Sequence, residues 1–406
     1  MERKRTAVVA GGGIGGLATA AALASAGLDV TVIERAGHIG DVGSGLMVYA
    51  NGVRAIDAIS PRLGERVRAS GHPTVPGDVR LLMDSAGNTL SEEPIGDMGE
   101  RLGAPQIPIL RTALQTALLD EALAAGAVLR LGTAVEGHTG RADGVSVRLS
   151  DGNTLEADLL VAADGIKSVI RREMLGDGAP TYRGYTSVRG RTTGTPLYPR
   201  PFVANGRGIQ LFVAPVGGDT MYWAAKITAE PGVWPAKGRD VALKELVAAL
   251  DGWHEPFVRL ILDADPQDVA VTDIHDRDPA PHWVDGRVAL LGDAAHPMVP
   301  AMGQGANMAL EDAVVLAAAL GAHQDVDTAL RVYQDQRLER TSAVVLHSRR
   351  QGALDQGASR DEERARNDFM RSNGRKDEAI FDVVAWRPED IRLDDDQPQQ
   401  PLPAAG

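Results

Sequence analysis

Six residues near the start, Gly11-Gly12-Gly13-Ile14-Gly15-Gly16, constrain this chain more than any others. They hold the pattern G-x-G-x-x-G at Gly11, Gly13 and Gly16, in a context that gives it meaning. The apolar run Ala7 to Ala10 precedes them and reads as a strand. Ile14 to Ala26 is rich in Ala and Leu, ends at Gly27 and reads as a helix. Asp29 to Ile33 alternates, is β-branched, reads as a second strand and is closed by Glu34. Glycines let the backbone turn tightly and approach a pyrophosphate, and the helix start presents free N–H groups and a positive dipole end. A carboxylate ending the second strand suits ribose hydroxyls. A dinucleotide on a Rossmann-type α/β unit is therefore expected.

The rest of the chain supplies two more turns of the same kind. Leu159 to Ala163 is a continuous apolar run, as in a strand buried on both faces, and it runs into Asp164-Gly165-Ile166-Lys167-Ser168-Val169-Ile170-Arg171. Val288 to Leu291 is another apolar strand. It leads into Gly292-Asp293-Ala294-Ala295-His296-Pro297, then Pro300 and Gly303-Gln304-Gly305, with an apolar helix expected over residues 303–320. A carboxylate at a strand's C-terminal end can accept hydrogen bonds from a sugar or ribityl chain, and the helix start points its positive end at whatever lies there. Between these motifs, residues 180–275 change character. Helical periodicity fades at first, while Ile209 to Val213 and Met221 to Ile227 read as strands. Long helices are expected over 327–350 and 361–378.

Composition excludes several alternatives. The chain has 406 residues and no cysteine, so disulfides, thiolate metal sites and a cysteine nucleophile are ruled out, and redox chemistry must come from a bound cofactor. The nine histidines show no metal-ligand spacing, and no metal is expected. A formal net charge of -13 argues against sequence-independent nucleic-acid binding. No run of eighteen apolar residues is seen, so no membrane span is expected, and the first apolar run is too short for a signal peptide. A cytoplasmic enzyme is the expectation.

The three motifs, in this order, resemble the single-component flavoprotein aromatic hydroxylases, which include 4-hydroxybenzoate hydroxylase, salicylate hydroxylase, zeaxanthin epoxidase and the flavin-dependent urate hydroxylases. The resemblance spans residues 6–345 and includes Gly43-Ser44-Gly45-Leu46-Met47-Val48, similar to a flavin-contacting loop, and Tyr182-Arg183-Gly184-Tyr185. It implies an α/β fold: a Rossmann-like FAD-binding domain (1–179 and 277–350), an inserted sheet-based substrate domain (180–276), a C-terminal helical segment (351–386) and a disordered tail (387–406). Gly11, Gly13, Gly15 and Gly16 would approach the FAD pyrophosphate, Glu34 the adenosine ribose, and Arg35 the adenine end. Gly45 and Arg111 would contact FAD, and Asp293 its ribityl chain. Pro300 and the backbone of Gly303, Gln304, Gly305 and Ala306 would face the flavin, while Asp164 is linked to both FAD and NAD(P)H. Gln210, Phe212, Tyr222 and Arg189 are the substrate candidates; Gln210 stands where the urate hydroxylases carry an arginine. The implied reaction uses NAD(P)H and O2 to hydroxylate an aromatic or heteroaromatic molecule through a flavin C4a-hydroperoxide, in a monomer or homodimer. An epoxidase, a tailoring oxidase and a non-catalytic flavin-binding protein are the alternatives.

Overall fold

The computed structural model describes residues 3–40, 45–194, 200–373 and 378–393. Its frame is a six-stranded sheet in the order Val284–Asp285, Val288–Leu290, Leu159–Ala162, Thr6–Ala10, Asp29–Ile33 and Val128–Arg130. All neighbours are parallel except the two-residue edge strand. The strand Leu159–Ala162 is buried along its whole length and shares one core with Val145, Val147 and Leu149 of a separate antiparallel sheet formed by Val135–Arg141, Gly144–Leu149 and Thr154–Ala157. Helices Ile14–Ser25, Arg111–Ala124 and Gly305–Ala322 pack together over the six-stranded sheet. Consequently all three motif turns open at the C-terminal ends of adjacent parallel strands, where ligands of such sheets bind.

Among the described residues, Gly305–Ala322 is the one helix long and apolar enough to cross a bilayer. Here it is a core helix. Its Glu311 and Asp312 are fully buried and both are paired with Arg337 of the following helix, Val326–Gln356.

A seven-stranded sheet forms the second body, in the order Ala270–Asp276, Thr181–Thr193, Thr220–Thr228, Ile209–Pro215, Phe202–Gly206, Arg80–Asp84 and Thr89–Glu93. Its last two strands come from well before residue 180. They join because Phe202–Asn205 pairs in parallel register with Leu81–Asp84, a long-range contact that leaves no mark in local periodicity. One face buries Leu211, Val213, Trp223 and Ala225 with helices Arg239–Ala249 and Glu255–Leu262. The opposite face turns toward the first body, where Tyr185 packs on Val299 and Ala301.

The C-terminal segment corrects one expectation. Residues 387–393 are docked rather than disordered: the Arg392 amide donates to Gln336 at 3.2 Å, His323 Nε2 lies 2.9 Å from the Leu393 carbonyl, and Ile391 and Leu393 pack against the main core. Buried Val384 and Trp386 anchor the segment in the main core, and the composition of 387–406 hid this because the anchoring residues sit just ahead of it. Residues 394–406 lie outside the described residues.

Candidate functional site

The first motif is shaped by steric necessity. Gly11 has φ +107, and a Cβ there would lie 2.4 Å from the Ala163 carbonyl oxygen, immediately before Asp164. A Cβ on Gly16 would lie 1.9 Å from the Gly11 carbonyl oxygen, so strand and helix could not approach as they do. Gly15 abuts Leu291 and Ala309, which belong to the third motif's strand and helix. Gly13 is different: a Cβ there meets nothing within 4 Å, so its open side faces space rather than protein. Glu34 accepts from the amides of Gly12 and Ala36, each at 2.7 Å, which fixes its carboxylate over the glycine turn. Arg35 is exposed beside it. Gln115 donates to the Gly12 carbonyl at 2.8 Å.

The second motif buttresses the third. Ser168 caps its helix by accepting from the Arg171 amide at 2.9 Å. The Arg171 guanidinium, 1% exposed, donates to the carbonyls of Ala294 and Ala295 at 3.1 and 2.7 Å. Asp164 accepts from the Val169 amide through Oδ2, while its Oδ1 is buried without a partner. Burial raises the Asp164 carboxyl above its ordinary range, against the hydrogen bonds from Ser168 and Val169.

Asp293 is reached by solvent, yet burial pushes its carboxyl upward, and only the nearby His296 and Arg111 oppose this. Those two facts agree if Asp293 lines a cleft walled by protein. Arg111 is exposed at the start of its helix, directly after Leu110, which pairs with Gly45. Gly45, Arg111 and Asp293 are thereby brought together from three distant stretches. Gly43 and Ser44 lie outside the described residues. Pro300 is exposed, and Gly303, at φ +65, packs on the Tyr49 ring. The Gln304 side chain is fully buried and meets Asn51, so only its backbone is free to face a ligand. The Met308 amide makes the helix's first internal bond, to the Gln304 carbonyl, and the amides of Gly305 and Ala306 before it have no intrahelical acceptor.

Beneath these turns lies a buried polar network that sequence reasoning missed. Asp312 accepts from the Gly292 amide at 3.1 Å, from Arg337 at 2.7 Å, and lies 2.6 Å from His296 Nε2. Glu311 pairs with Arg337 and Arg340 and accepts from Asn51 at 2.7 Å. Burial alone would raise both carboxyls. For Glu311 the cations Arg340 and Arg337 win, and for Asp312 His296 and Arg337 do, so both stay below the usual carboxylate range. Two adjacent acids inside an apolar helix were the available signal.

On the second sheet, the register sets Gln210 opposite Lys226, Phe212 opposite Ala224, Ala214 opposite Tyr222, and Arg189 opposite Ala224. All four substrate candidates therefore share the face turned to the first body. The Phe212 and Tyr222 rings are 6.2 Å apart, and Tyr222 lies against Gly45 so closely that a Cβ there would be 2.5 Å from its Cγ. Burial raises the Tyr222 hydroxyl's pKa and Arg189 partly opposes it, so the phenol stays protonated at neutral pH. Gln210 is 5% exposed and both ends of its amide are engaged, with Asn205 and with Lys226, each at 3.0 Å. Lys226 lies 3.4 Å from Asp355.

Residues 4–348 match the family model of an FAD binding domain. The chain belongs to that family. Its members similar to this chain include an aurachin C monooxygenase/isomerase of Stigmatella aurantiaca, 38% identical over 88% of this chain and 91% of the relative. A 3-amino-4-hydroxybenzoate 2-monooxygenase of Streptomyces cremeus is 35% identical over 86% and 87%. The crystal structure of Klebsiella pneumoniae HpxO complexed with FAD and uric acid superposes with a TM-score of 0.86 at 31% identity, covering 94% of this chain and 96% of that one. As a member of this family the chain is an FAD-dependent monooxygenase, an oxidoreductase. The geometry fits the cofactor: the open side of Gly13 leaves room for a phosphate, Asp293 is reached by solvent near Arg111 and His296, and the amides of Gly305 and Ala306 have no intrahelical acceptor.

Proposed function

We propose that this chain takes electrons from NAD(P)H and inserts one atom of O2 into an aromatic or heteroaromatic ring held between FAD and the sheet face of Arg189, Phe212 and Tyr222. One observation carries the reading: the Tyr222 ring lies directly on Gly45, so the substrate-side sheet closes onto the cofactor-side loop without intervening structure. Bound FAD supplies the electron transfer and the activation of oxygen. The chain's own residues do the rest. Gly11, Gly13 and Gly16 would admit the pyrophosphate, Glu34 the ribose and Asp293 the ribityl chain, with Arg35 at the adenine end and Arg111 beside Asp293. The amides of Gly303 to Ala306 at the helix start would stabilise negative charge on a reduced ring.

Tyr222 remains a neutral hydrogen-bond donor, able to hold a ring oxygen or nitrogen, while Phe212 offers an apolar edge. Gln210 is held by Asn205 and Lys226, so the cationic side chain of this face beside Phe212 and Tyr222 is Arg189. The Lys226–Asp355 pair beside Gln210 is charge-balanced. The test is a screen of NADH and NADPH oxidation by the FAD-loaded protein against phenols and heteroaromatics, with product mass as readout. A gain of one oxygen without hydrogen loss supports the reading. A product that has lost two hydrogens would instead make the chain an oxidase.

A further inference from the structure

Three neighbouring strands leave a dent in the sheet face that turns toward the first body. Their register sets Phe212 opposite Ala224 and Ala224 opposite Arg189, so one row across the sheet runs large, small, large. Along its own strand Ala224 stands between Tyr222 and Lys226 on the same face. Those two neighbours are each 8% exposed, yet the single methyl of Ala224 is still reached by solvent, as are Phe212 and Arg189. A small side chain that stays wetter than the larger ones beside it marks the floor of a depression. Two strand spacings, roughly 10 Å, separate the backbones of Phe212 and Arg189, with only that methyl between them. Tyr222, lying on Gly45, closes one end against the cofactor-side loop.

The walls of the dent differ in chemistry. Phe212 offers an apolar ring, its centroid 6.2 Å from that of Tyr222. Arg189 stands on the opposite side, and its charge is felt at the Tyr222 hydroxyl, where it opposes the upward push of burial. Guanidinium and phenol therefore act on one space. The other cations of these rows are matched by acids, Arg191 with Asp268 at 2.9 Å and Lys226 with Asp355 at 3.4 Å. None of the residues that surround Ala224 on these strands is acidic, so the sheet sets no like charge against an anion lying there. A planar guanidinium presents paired N–H donors that match the two oxygens of a carboxylate.

We propose that Arg189 is a specificity-determining residue, selecting an aromatic substrate that carries a carboxylate and holding that group across the dent from Phe212. The inference rests on the aromatic reading above. It directs the acid group toward strand Thr181–Thr193 and away from Gln210, whose row is occupied by its bonds to Asn205 and Lys226.

The test titrates the FAD-loaded protein at neutral pH with 3- and 4-hydroxybenzoate, the matching hydroxybenzamides and phenol, reading the shift in flavin absorbance. Acid and amide have nearly the same shape and differ in charge. One of the acids is expected to bind roughly ten- to a hundredfold more tightly than its amide, as charge-assisted hydrogen bonds require. Arg189→Gln should bring the acid down to the level of the amide and leave the amide and FAD content unchanged. Arg189→Lys should recover part of the preference, since it keeps the charge without the fork. Melting temperature reports that each variant is folded, and the wild-type comparison of acid with amide needs no variant. Acids that bind no better than their amides, or a preference that survives Arg189→Gln, would overturn the role of Arg189, while binding of phenol and the amides would leave the aromatic reading intact. If no probe perturbs the flavin, the aromatic reading itself fails and the assignment with it.

Discussion

Gly13 and Gly16 lie three residues apart in one motif, yet the structure assigns them different duties, and alanine separates the two. At Gly16 the new Cβ would lie 1.9 Å from the Gly11 carbonyl oxygen, a backbone atom that cannot rotate away. Relief requires the helix to shift from the strand, an overpacking cost at the upper end of about 1–3 kcal/mol. In a chain of this length that lowers the melting temperature by roughly 3 °C even without cofactor. At Gly13 the Cβ meets nothing within 4 Å, and the backbone is extended at φ -75, which alanine adopts freely. Gly13→Ala should therefore leave the apoprotein's melting temperature unchanged while filling the space meant for the pyrophosphate. Losing one amide–phosphate hydrogen bond costs about 1.5–3 kcal/mol, which weakens FAD by roughly ten- to a hundredfold. The assay pairs a thermal melt of each apoprotein with an FAD titration followed by quenching of flavin fluorescence. Wild-type FAD affinity in Gly13→Ala would refute the assignment of that open side to the cofactor, and an unchanged melt in Gly16→Ala would refute the packing argument.

Asp293→Asn keeps the side chain's volume but removes its charge, and should raise the FAD dissociation constant about tenfold with little change in the melt. Arg337→Met strands Glu311 and Asp312 in a buried setting and should cost about 3–5 kcal/mol, measured by urea unfolding. Because both acids are held below their ordinary range in the folded state, their contribution is complete above roughly pH 4.5 and is lost as pH falls through the folded values. The wild-type melting temperature should therefore drop on acidification below that point, and Glu311→Gln should flatten part of the decline. Tyr222→Phe removes a donor without changing the ring, so it should weaken substrate binding by about 0.5–1.5 kcal/mol while FAD affinity stays as it was.

Much of the frame could be read from the sequence because it is local. Thr6–Ala10, Ile14–Ser25 and Asp29–Ile33 follow one another along the chain, and apolar periodicity with glycine punctuation marks each. The three motif turns were visible for the same reason. What stayed hidden depends on long-range pairing. Nothing near Arg80 announces that its strand will complete a sheet begun at residue 181. Nothing near Asn51 shows that its amide will meet Glu311, more than two hundred residues later. Alternation placed Gln210 and Phe212 on one face, and the register confirms that placement, but only the fold reveals that the Gln210 amide is already spoken for by Asn205 and Lys226. The docked segment 387–393 shows the opposite error, since a charged, proline-containing stretch reads as tail although buried Trp386 directly precedes it.

The central claim is that the three motifs hold FAD against a sheet face that presents a ring for oxygen insertion. Its most direct test supplies the FAD-loaded protein with NADH, isotopically heavy O2 and the aromatic that most strongly perturbs its flavin, then weighs the product. The expected product carries one heavy oxygen atom, with the other recovered in water. A product free of label, with all the heavy oxygen in hydrogen peroxide, would contradict it.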